Sequence, residues 1–170
     1  VGAVYMNRRP ALLACFVYLG GGILGEGDAS TRGGGSPSTS FHVTSILVAH
    51  NGAAWLPEVF ASLASQTRPI DYTIAVDTGS ADASAKLLKR ARIHSIALPV
   101  DTGFGEAVGA ALAKIPNRSG ANEWLWPIHD DCAPDSGALQ ALLEAVTDRR
   151  QVAISGPQLP GWCDGSHHLA

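Results

Sequence analysis

Two adjacent carboxylates, Asp130 and Asp131, follow His129 at the end of the apolar run WLWPI, residues 124 to 128. Like charges side by side cost energy unless water, a cation or a donor network compensates. At a strand end facing a crevice, such a pair can hold a hard divalent cation. Mg²⁺ takes one or two protein carboxylates and completes its octahedron with water and phosphate oxygens. The same cation neutralises charge on a leaving diphosphate. The alternative is a solvated turn that caps the next helix. Asp135 and Ser136 already stand where a cap is needed, and Pro134 enforces a turn, so the metal or diphosphate reading is preferred.

A second carboxylate, Asp77, ends another apolar run and precedes Thr78-Gly79-Ser80. It could accept from a base N–H or a ribose hydroxyl. It could equally close an Asx-type turn, since Asp, Gly and Ser form turns in any protein; both readings stay open. Gly103, Gly105 and Gly109 open a helical stretch in a pattern that imitates a dinucleotide fingerprint. That fingerprint belongs after the first strand, with an acidic residue closing the next strand. Here Glu123 begins the next strand instead, so close backbone approach or helix packing is the better reading of these glycines. His50 and His129, each alone, are more simply structural. The chain has no HExxH, GxSxG or Walker pattern, so hydrolase and P-loop readings lack their main signals.

The elements that must position these residues alternate. VTSILVA (43–49), YTIAV (72–76), HSIALPV (94–100), EWLWPIH (123–129) and QVAISG (151–156) are short β-branched or apolar runs that predict strands. Between them, 55–66, 80–91, 104–115 and 136–146 carry apolar residues at helical spacing. Such alternation implies an α/β fold with a mostly parallel sheet and helices on both faces. In such sheets ligands bind beyond the carboxyl ends of the strands. His50-Asn51-Gly52, Asp77-Thr78-Gly79-Ser80, Asp101-Thr102-Gly103 and His129-Asp130-Asp131 each follow a predicted strand.

The 170 residues suffice for one domain with a core. A net charge of −3 gives no electrostatic footprint for nucleic acid. Cys15, Cys132 and Cys163 are widely spaced and form neither a zinc pattern nor a disulfide framework. Residues 1 to 42 read as a poorly ordered leader: two arginines, an apolar run short of the roughly 20 residues of a membrane span, then a Gly/Ser-rich linker. An overlong or misassigned start fits this segment as well as a targeting signal does. Residues 43 to 162 read as the domain and 163 to 170 as a disordered tail.

Four stretches together, TSILVAHNGAAWLPEVFASLASQT, IAVDTGSADAS, LPVDTGFGEAVGAAL and WLWPIHDDCAPDSGALQALLEAV, resemble family 2 glycosyltransferases of the GT-A type. The likeness covers about residues 43 to 162, and the wording is most similar to actinobacterial members. It implies a GT-A Rossmann-like fold and inverting transfer of a sugar from a nucleotide diphosphate sugar to a glycan or lipid-linked acceptor. It implies a Mg²⁺ or Mn²⁺ cofactor, a location in the cytoplasm or at the membrane's cytoplasmic face, and membrane association of the full-length protein. By the resemblance, Ala49, His50, Asn51, Asp77, Gly103 and Asp130 meet the nucleotide sugar and Asp131 holds the metal. Thr78 stands where the family usually has a second acidic residue, and His129 where an acidic residue is common. The family's catalytic base lies later, in an acceptor half, so the chain reads as the N-terminal, nucleotide-sugar-binding half, an incomplete domain truncated before that base. Two other readings are a nucleotidyltransferase, disfavoured because AHNGAAWLPE has no Arg or Lys, and a degenerate non-catalytic binding domain.

Overall fold

Residues 16–18, 41–116, 122–147 and 154–155 are described by a computed structural model of the chain. In chain order the elements are β1 (Phe16–Tyr18), β2 (Phe41–Ala49), α1 (Leu56–Ala64), β3 (Tyr72–Thr78), α2 (Ser84–Arg90), β4 (His94–Leu98), α3 (Phe104–Leu112), β5 (Asn122–His129), α4 (Ala138–Thr147) and β6 (Ile154–Ser155). One sheet holds all six strands in the order β4-β3-β2-β5-β1-β6. The four strands β4, β3, β2 and β5 run parallel, and β1 is antiparallel to both β5 and β6.

The expected α/β architecture is therefore present, with two corrections at its margins. Phe16–Tyr18, assigned from sequence to the leader, is a strand of the sheet, paired with Trp124–Leu125 on one side and with β6 on the other. β2 likewise begins at Phe41, inside that leader, because Arg68 and Asp71 tie down its start. Arg68 donates to the Phe41 carbonyl at 2.6 Å, and Asp71 accepts the Val43 N–H at 2.8 Å. The rest of the predicted leader and the predicted tail lie outside the described residues.

Apolar residues run on through β2, yet its side chains divide by the period of two. Val43, Leu47 and Ala49 join Ala75, Trp124, Trp126 and Ile128 under α1, α2 and α4. Ile46 and Val48 join Ile74, Val76 and Leu125 under Ala107 and Ala111 of α3. Helices cover both faces, so the central strands need no polar side.

The helices differ from expectation at both ends: α3 stops at Leu112, short of the expected 115, and α2 starts late. Residues 80–83 were expected to be helical, but α2 begins at Ser84. Asp77 accepts the Ser80 N–H at 3.0 Å and Asp82 accepts the Ser84 N–H at 2.8 Å, so side chains hold this stretch as a loop. α4 is anchored from a distance. Gln66, 6% exposed, accepts the Leu139 N–H at 3.0 Å and donates to the Asp135 carbonyl at 2.8 Å. A helix's first N–H groups lack intrahelical partners, and here a glutamine just beyond α1 satisfies one. Among the described residues, no helix is long and apolar enough to cross a membrane.

Candidate functional site

The register of the parallel strands brings three loops together. Ala49 is the partner of Asp77, and Val48 the partner of His129, so β2, β3 and β5 end at one level. Residues 50–55, 79–83 and 130–137 leave from that edge of the sheet.

His129 bridges the two carboxylates. Its Nδ1 lies 2.9 Å from an oxygen of Asp130 and 2.9 Å from an oxygen of Asp131. The adjacent acids are thus compensated by a shared imidazole N–H, whose hydrogen bond to Asp130 raises the His129 pKa above 6.5. Burial opposes the rise, and the Asp130 charge and the hydrogen bond and charge of Asp131 add to it. Phe104 stacks on the same imidazole, ring centroids 6.0 Å apart and planes 26° from parallel.

The carboxylates are not equivalent. The Asp130 side chain is 2% exposed and that of Asp131 27% exposed. Asp130 turns its other oxygen inward to accept the His50 N–H at 2.7 Å. It therefore joins the end of β5 to the loop after β2, while Asp131 faces outward. Gly52 permits this, since a Cβ there would lie 2.2 Å from Asp130 Oδ2.

In the loop after β2, His50 Nδ1 lies 2.8 Å from the Thr78 carbonyl. A carbonyl only accepts, so Nδ1 carries the proton. Nε2 is then free to accept from the Asn51 amide at 3.1 Å. Asn51 has φ +53°, a left-handed conformation in which Asn is enriched among non-glycine residues. Ala49 is fully enclosed and its carbonyl accepts from the Thr78 hydroxyl at 3.2 Å, so it reaches the crevice only through its neighbours. Asp77 is 7% exposed and accepts the Ser80 N–H three residues on, so its carboxylate shapes the start of the loop after β3.

Gly103 opens α3 with ordinary extended dihedrals, and a Cβ at Gly103, Gly105 or Gly109 would meet nothing within 4 Å among the described residues. Packing among the described residues does not require these glycines, which corrects the helix-packing reading there. Gly103 joins the site through its neighbour Phe104, whose ring lies on His129. Cys132 is buried and its thiol is pushed up to about 12 by burial and then by Asp131, so it takes no part as a nucleophile.

In sequence His129 is a lone histidine of structural type, and Gln66 stands out in no motif. The adjacency His-Asp-Asp was a signal for the first. Gln66 gives none, because the partners by which it anchors α4 are 69 and 73 residues away.

The His129–carboxylate bridge has a pH signature. Its folded pKa lies above the unfolded value of about 6.5, so its stabilisation is complete below about pH 6.5 and is lost as pH rises through the folded pKa. In the presence of a chelator, the urea midpoint is expected to fall between pH 6 and 9. The His129→Gln variant is expected to flatten that dependence. An equal slope in the variant would remove His129 as its source.

The model of glycosyl transferase family 2 matches residues 44–169. Among solved structures, a mannosyltransferase from Pyrobaculum calidifontis, in complex with GDP-Man and Mn²⁺, is similar at 18% identity and TM-score 0.54, covering 64% of this chain and 33% of its own. Glucosyl-3-phosphoglycerate synthase from Mycobacterium tuberculosis, in complex with Mn²⁺, UDP and phosphoglyceric acid, gives 20% identity and TM-score 0.53 over 65% of this chain and 40% of its own. S. aureus TarS with UDP gives 17% identity and TM-score 0.50 over 63% and 32%. The chain thus spans between 32% and 40% of the lengths of these structures. No curated protein matches the sequence.

Proposed function

The chain belongs to glycosyl transferase family 2, and we propose that its share of that family's chemistry is to receive a nucleotide diphosphate sugar and a divalent cation at the carboxyl edge of its sheet. The observation that carries this reading is the group His129, Asp130 and Asp131, whose ligand atoms all lie within 4.8 Å of one another. Carboxylate oxygens suit a hard cation such as Mg²⁺ or Mn²⁺. Asp131 is the accessible ligand, with His129 beside it. A bound cation there supplies charge neutralisation at a departing diphosphate.

The chain's own residues do the rest of the work. Asp130 holds the loop after β2 through the His50 N–H. In this reading His50, Asn51, Asp77 and Gly103 meet the base and ribose, and Phe104, next to Gly103, stacks on His129. The sugar is transferred with inversion to a glycan or lipid-linked acceptor by the full-length protein, at the cytoplasmic face of the membrane. A carboxylate base in an acceptor half activates the acceptor hydroxyl. The complexes of fold relatives with UDP, or with GDP-Man and Mn²⁺, support the donor class.

Calorimetric titration with UDP and with GDP tests the assignment. Mn²⁺ or Mg²⁺ is expected to tighten binding about tenfold or more, an increment of about 1.4 kcal/mol. Asp131→Asn is expected to abolish the increment while leaving metal-free binding in place. Metal-dependent tightening that persists in the variant would overturn Asp131 as the ligand.

A further inference from the structure

The loop after β2 is held from two directions. Asp130 fixes its first residue. The rest is tied to the loop after β3 by Ser80, Ala81 and Asp82, which have no part in the proposed ligand contacts. Asn51 N–H donates to Ser80 Oγ at 2.9 Å, and Ala81 N–H donates back to Asn51 Oδ1 at 2.8 Å. Two residues further on, Ala53 N–H donates to Asp82 Oδ2 at 2.9 Å. The other Asp82 oxygen accepts the Ser84 N–H at 2.8 Å, so one carboxylate ties the start of α2 to the approach to α1.

We propose that Ser80 and Asp82 are positioning residues that hold the His50–Ala53 loop in its nucleotide-receiving shape, acting through the backbone of Asn51 and Ala53. The inference rests on the donor-site reading above. Its physical basis is the conformation of Asn51. A non-glycine residue at φ +53° carries a local cost and persists only where its surroundings over-determine it. The surroundings that do so are the Ser80 hydroxyl, the Ala81 N–H and, two residues on, the Asp82 carboxylate. These bonds are solvent-exposed, so each adds little to global stability. Their effect falls instead on how much of the population has the loop ready. Apparent affinity scales with that fraction.

The test is calorimetry of UDP and GDP, each with Mn²⁺, on the full chain and on Ser80→Ala, Asp82→Ala and Asp82→Asn, with melting temperatures and amide exchange measured alongside. Ser80→Ala and Asp82→Ala are expected to raise Kd about tenfold while shifting Tm by no more than about 3 °C. Exchange at the Ala53 amide is expected to quicken about tenfold in Asp82→Ala. Asp82→Asn keeps one acceptor oxygen, which can serve the Ala53 N–H but leaves the Ser84 N–H facing an NH2, and is expected to recover part of the affinity. Unchanged Kd in both alanine variants, with the parent chain binding normally, would overturn the inference. So would a loss of affinity matched by a large fall in Tm, which is what a merely structural role predicts. A parent chain that binds neither nucleotide would overturn the donor-site reading itself, and the Ala53 exchange rates would still report whether the loop is held as described.

Discussion

Gly52→Ala is expected to weaken nucleoside diphosphate binding about a hundredfold and to lower stability by about 2–3 kcal/mol. The added Cβ would stand 2.2 Å from Asp130 Oδ2, 2.5 Å from its Cγ and 2.7 Å from its Cβ. A clash with the tip of a flexible side chain is relieved by rotation. This carboxylate cannot rotate freely, because it is 1% exposed and bonded to His50 N–H and His129. Its own Cβ is too close as well, so the backbone of residues 50–53 must give way. The Gly52 carbonyl accepts from Trp55 and Leu56 at the head of α1, and Leu56 is fully buried. Movement there is opposed by the core, so the misfit is concentrated in the loop. Titration with UDP and Mn²⁺, beside a urea melt, reads both effects. Binding within threefold of the parent would mean that the loop's shape does not govern nucleotide affinity.

How much of this was legible beforehand follows from the range of the interactions involved. The parallel core strands announced themselves because both faces are buried, leaving unbroken apolar runs such as ILVA and TIAV. The positions of Asn51, Asp77 and Asp130 at one edge followed from alternation alone. Side-chain capping hid the true start of α2, since Ser80 and Asp82 look helix-tolerant until their bonds to Asn51 and Ala53 are seen. FVY at 16–18 looked like part of a targeting run, because its pairing with β5 lies more than a hundred residues away. The role of Gly52 was equally hidden. It depends on an aspartate 78 positions later occupying the space its side chain would take.

That dependence gives the second large effect a sharper form. Asp130→Ala is expected to destabilise the chain by about 3–5 kcal/mol, a fall in melting temperature on the order of 10 °C. It strips the His50 N–H of its acceptor and leaves His129 with Asp131 as its remaining carboxylate. It also removes Oδ2 and Cγ, the two atoms nearest a Cβ on Gly52. Gly52→Ala should therefore cost less in the Asp130→Ala background than in the parent. The double variant is expected to be more stable than the sum of the single losses, by about 1–2 kcal/mol. Chemical denaturation of the four proteins measures this coupling. Strict additivity would mean that Gly52 and Asp130 act on the loop independently, and that Asp130 holds it by charge rather than by filling the place a side chain would need.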